Sequence, residues 1–142
     1  MRNQIKIGAA AVVCVLVLAG ATVQAQVKKG KSRLLTTEQL MAGTVKPHCD
    51  ALKKGLEIAP ADDKAWQKLA AHAALLNEAS YTLMDDDRCP DQVWSDAATK
   101  HLRQGSADLV KALGAKDQAG AKSAFGAMTK SCKACHEKHK EK

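Results

Sequence analysis

"DKAWQKLAAHAALLNEASYTL", residues 63–83, is the stretch that decides the fold. Trp66, Leu69, Ala73, Leu76, Ser80 and Leu83 recur at three- and four-residue steps, the spacing that lines one face of an α-helix. Asp62 or Asp63, at the end of "APADD" (59–63), supplies a helix cap. The pattern fails in "DDDRCPD" (85–91), a polar turn.

The same reading extends in both directions. Upstream, "TTEQL" (36–40) opens a helix with Thr36-x-x-Gln39 at capping-box spacing. That helix runs to about Lys54, stops at Gly55 and carries Pro47 inside it, where a kink is expected. Downstream, Pro90 suits the first turn of a third helix. Its stripe is Trp94, Ala98, His101 or Leu102, Gly105, Leu109 and Leu113, and Gly114 ends it. Asp117 starts a fourth helix with Ala121, Phe125, Met128, Cys132 and Cys135 along one side. No segment alternates like a strand. Aromatics are only 3% of residues, so Ala and Leu must supply most of the core, a composition that favours helices. Four helices of roughly 20 residues, each about 30 Å long, joined by short loops, predict an all-α fold: an antiparallel up-down-up-down four-helix bundle.

Residues 1–25 stand apart. Arg2 and Lys6 precede an apolar run from Ile7 to Gly20, and Val23-Gln24-Ala25 offers small residues for cleavage. This is the pattern of a secretory signal peptide. The run is short for a membrane span of roughly 20 residues. Residues 26–142 are then expected to form one exported domain, in the periplasm, where thiols tend to oxidise. Losing Arg2 and Lys6 lowers the net charge from +7 to +5. That balance is too diffuse for nucleic-acid binding.

The chemistry sits in "SCKACHEKHK" (131–140). Cys132-Lys133-Ala134-Cys135-His136 has the spacing for attaching a c-type haem. Each thiol can add to one haem vinyl group, and His136 can then place an imidazole nitrogen on the iron. Three other readings compete. A thioredoxin-like pair would sit near a βαβ pattern. A zinc site would use Cys132, Cys135, His136 and His139. A Cys132–Cys135 disulfide is the last. The export signal and the helical pattern favour one covalently attached haem c.

An exported four-helix chain with this motif at the end of its last helix resembles the class II c-type cytochromes, the cytochrome c-prime family. The stretches that carry the resemblance are "EQLMAGTVKP" (38–47), "WSDAA" (94–98) and "SCKACHEKHK". The resemblance implies a haem-bearing four-helix bundle with electron-transfer or gas-binding roles, and often a homodimer through the first two helices. Many members follow the motif with Tyr-Arg; this chain has His139-Lys140. Lys140 can offer a charge to a haem propionate but lacks the arginine fork.

The family divides on the sixth iron ligand. Low-spin members place a methionine there, early in the first helix. Glu38-Gln39-Leu40-Met41 matches that pattern approximately, so the resemblance puts Met41 on the iron opposite His136. Spacing alone reads Met41 as core packing. His48 is the rival, on the same face but about 10 Å further along. High-spin members leave the iron five-coordinate and bind small gases such as nitric oxide or carbon monoxide. A methionine opposite histidine raises the reduction potential, which suits a carrier of single electrons.

Cys49 and Cys89 remain. An oxidising compartment suggests that they pair. If the first two helices are antiparallel, however, they lie roughly 20 Å apart along the axis, and a bridge needs Cα atoms within about 7 Å. Asp85-Asp86-Asp87 lacks the glycine of a calcium loop and reads as a solvated turn. Lysines 130, 133, 138, 140 and 142 surround the haem motif and could steer acidic redox partner proteins toward it. No Ser-His-Asp set, paired acids or phosphate loop marks an enzyme.

Overall fold

The computed structural model of the chain describes residues 32–140. The expected leader and its cleavage point lie outside them. Among the described residues four helical rods follow one another. α1 is built from Thr37–Leu40, a π-helical Met41–Val45 and Lys46–Gly55. α2 is Asp63–Thr82. α3 is built from Gln92–Asp96, a π-helical Ala97–Arg103 and Gln104–Gly114. α4 is Gln118–His139.

Each rod starts on a side-chain cap that satisfies otherwise orphaned N–H groups. Thr36 and Gln39 form the expected reciprocal box: Gln39 N–H donates to Thr36 Oγ1 at 3.1 Å, and Thr36 N–H donates to Gln39 Oε1 at 2.9 Å. Asp62 accepts from Ala65 N at 2.7 Å, and Asp117 from Gly120 N at 2.9 Å. α3 departs from expectation. Its cap is Asp91, which accepts from Trp94 N at 3.0 Å, so Pro90 precedes the helix rather than opening it. A carboxylate can take up that N–H; a proline ring cannot.

The kink expected at Pro47 takes the form of the π-helical turn just before it. Lys46 N–H reaches back five residues to Met41 O. A proline ring clashes with the carbonyl four residues earlier and has no N–H to give it. One wider turn accommodates both defects. In α3 the Asn77 amide from α2 donates to Arg103 O at 2.8 Å, so a side chain meets the backbone where the π turn ends.

The core is the expected stripe. Trp66, Leu69, Ala73, Leu76, Ser80 and Leu83 of α2 are all buried, as are Trp94, Ala98, Leu102, Gly105, Leu109 and Leu113 of α3. Of the two alternatives in α3, Leu102 points inward and His101 is exposed. Trp94, 2% exposed, donates its indole N–H to Leu83 O at 2.8 Å, so its polar edge is satisfied inside the core. Close backbone packing runs α1 on α2, α2 on α3 and α3 on α4. α4 and α1, the last neighbours in the ring, share scarcely any.

Candidate cofactor site

That loosely packed seam holds the motif. At one end, Gln118 Nε2 reaches across from α4 to Leu56 O at 3.0 Å, and Lys122 Nζ reaches Glu57 O at 3.3 Å. α4 therefore runs antiparallel to α1, and Gln118 marks the face of α4 that looks at α1. His136 lies about five helical turns beyond Gln118, on the same line of the helix. It faces α1 too. Cys132 sits one turn earlier, half-buried, and Cys135 turns inward to 8% exposure.

The opposite wall is the first half of α1. Met41 opens the π-helical turn and is half-buried, packed on the core with Val45 and Cys49. Counting back from Leu56, Met41 lies about 22 Å along α1; counting on from Gln118, His136 lies about 27 Å along α4. Met41 and His136 thus stand at similar heights in the bundle, while the Met41 side chain packs on the core. The π-helical turn of α3 packs against α4 at this end as well.

His48 takes another path. Its Nδ1 lies 2.8 Å from His72 Nδ1, with ring centroids 5.0 Å apart, so it turns to α2. His139, with 6% of its side chain exposed, stands edge-on to Trp94 and 3.3 Å from Asp91 Oδ1. Cys49 and Cys89 are both free thiols. Cys49 belongs to the seam instead, with the Cys132 sulfur among the charges that act on it.

Burial sets the protonation states. It pushes the Cys135 thiol up to about 11, helped by Cys132 and Asp91, and it raises Cys132. Both are thiols at neutral pH. Burial and then Lys140 lower His136, which keeps its ring neutral with a lone pair to give. Asp91 is held at about 2, first by the Lys138 hydrogen bond and then by the Trp94 N–H. Nothing local in the sequence singles out Asp91, because its partners Lys138 and His139 lie far along the chain, on α4.

The family model described as Cytochrome C' matches residues 39–140. The chain belongs to the cytochrome c' family. No curated protein and no solved structure matches it. Membership in the cytochrome c' family implies a haem c cofactor. The residues fit that group. Two thiols one turn apart and a neutral imidazole beside the second stand on α4 beside a seam that helix packing leaves loose. Among the described residues no helix is long and apolar enough to cross a membrane.

Proposed function

We propose that the chain is an exported monohaem cytochrome that carries single electrons in the periplasm and is not itself an enzyme. Cys132 and Cys135 would hold one haem covalently as thioethers, and His136 and Met41 are the residues that would ligate its iron. When bound, the iron supplies the one-electron chemistry. The observation that carries the reading is the Cys132, Cys135 and His136 set on α4 beside an α1–α4 seam that helix packing leaves loose. It is strengthened by the commitment of His48 to His72, which removes the rival ligand from that seam.

The protein's own residues do the rest. The neutral His136 ring offers a nitrogen without first losing a proton. Met41, on a helix rather than a loop, presents a soft sulfur that favours the reduced metal. Lys130 and Lys140 are exposed at this end and give an acidic redox partner a positive surface to approach.

Protein matured in a host competent for haem attachment is the test. Intact mass should equal the processed chain plus one haem, and the reduced protein should show sharp low-spin bands. A bare polypeptide overturns the whole reading. A high-spin spectrum that shifts on adding carbon monoxide replaces Met41 ligation with a five-coordinate, gas-binding iron.

A further inference from the structure

The α1–α4 seam is not closed by helix packing, so something else must set its width where Met41 and His136 stand at similar heights. The loop between α2 and α3 holds the segment that leads into α1 and the last turn of α4. On the α1 side, the Asp86 carboxylate accepts from Ser32 N at 3.0 Å and Arg33 N at 2.9 Å, and the buried Arg88 donates to Leu35 O at 2.8 Å. On the α4 side, Asp91 Oδ2 takes Lys138 Nζ at 2.6 Å, and Asp91 Oδ1 takes His139 Nε2 at 3.3 Å. The indole of Trp94 ties the start of the loop down at Leu83 O. Between these grips the backbone passes through Asp86 and Asp87 at φ 65° and 59°. Left-handed conformations of this kind cost energy outside glycine and persist where the surroundings enforce them.

We propose that the 83–91 loop is a clasp that fixes the separation of α1 and α4 at the Cys-x-x-Cys-His turn, with Asp91 as its positioning residue, and so holds Met41 within reach of the iron. This rests on the haem reading above. The geometry gives the clasp leverage. Lys138 and His139 lie two and three residues past His136, and Leu35 lies six residues before Met41. A short metal–sulfur bond responds to small changes in the distance between its two supports. Both bonds to Asp91 are charge-assisted, and His139 makes its bond with only 6% of its side chain exposed.

Asp91 also caps α3, and the two roles separate chemically. Asp91→Asn keeps a good cap but removes the charge that holds Lys138 and His139. The haem-loaded protein and its Asp91→Asn variant are compared, with Asp96→Asn as control, a half-buried carboxylate on the same helix that pairs with Lys100 of α3 and not with α4. In Asp91→Asn the mass still shows one haem. Carbon monoxide binds the reduced protein at least tenfold faster, because Met41 yields more readily, and the amides of residues 133–139 exchange at least tenfold faster. Asp96→Asn leaves both rates unchanged. Unchanged rates in a haem-bearing Asp91→Asn overturn the clasp, and a wild type that is already five-coordinate overturns its hold on Met41. If the wild type carries no haem, the reading beneath has failed. Hydrogen exchange in the bare chain then judges the mechanical claim alone, and equal protection of 133–139 in both proteins overturns it.

Discussion

Replacing Gly105 by alanine should destabilise the bundle although alanine is the better helix former. Gly105 lies on α3 where that helix crosses α4. A Cβ there would meet Met128 Cβ at 2.7 Å and Met128 Cα at 3.0 Å. The second contact is with backbone, so no rotation of the methionine side chain relieves it, and the helices must separate. Overpacking of this kind costs about 1–3 kcal/mol, and a backbone clash belongs at the upper end. Alanine returns about 1 kcal/mol of helix propensity. The balance is about 2 kcal/mol of lost stability, or roughly 10 °C in Tm for a domain of this size. Gly126→Ala is the matched comparison, because a Cβ at Gly126, inside α4, meets nothing within 4 Å. It should gain up to about 1 kcal/mol. Urea unfolding of both variants reads the two signs directly. A Gly105→Ala protein as stable as Gly126→Ala would refute the close approach of α3 and α4.

Further outcomes follow from single sites. Met41→Ala should turn a low-spin spectrum high-spin and lower the reduction potential; an unchanged spectrum removes Met41 from the iron. Asp62→Ala and Asp117→Ala each lose one cap bond and should cost about 1 kcal/mol in chemical denaturation, with additive effects because the caps belong to different helices. Burial, then His48 and Lys68, lower His72 in the folded chain. Its neutral form is therefore favoured by folding, and its contribution to stability is full above the ordinary histidine value and lost as pH falls through the folded value. The urea midpoint of the haem-loaded protein should drop between pH 7.5 and 5.5, and by less in His72→Gln; an equal drop in both removes His72 as the cause.

The helices and the haem motif were legible because each is written within a few neighbouring residues. Thr36 and Gln39 find each other across one turn, and Trp66 to Leu83 declare their face by spacing. Cys132, Cys135 and His136 are adjacent on one turn of helix. What stayed hidden was tertiary. Asp91 meets Lys138 and His139 only because α3 and α4 are antiparallel. His48 meets His72 only because α1 packs on α2. Pro47 announced a defect in α1, but its form, a wide turn beginning at Met41, depends on how the backbone absorbs a missing N–H. The free Cys49 and Cys89 agree with helix arithmetic over the compartment argument: rise along a rod is a geometric constraint, whereas oxidation acts only on thiols already close.

The seam's position follows from chain connectivity. In an up-down-up-down bundle the first and last helices are neighbours with no loop between them. Loops pull α1 onto α2, α2 onto α3 and α3 onto α4; nothing of the kind pulls α4 onto α1. Their separation rests on long-range contacts alone, those of Gln118 and Lys122 at one end and of the α2–α3 loop at the other. A flat group inserted there strains no connection and breaks little packing. A core built largely from leucine and alanine has few large side chains with which to grip such a group by shape. Covalent attachment on the last helix, as proposed, would supply that hold and would leave the first helix free to contribute the residue that distinguishes an electron carrier from a gas binder. A thioether at position 41 and a clasp that keeps it in place are what this argument requires of the sequence.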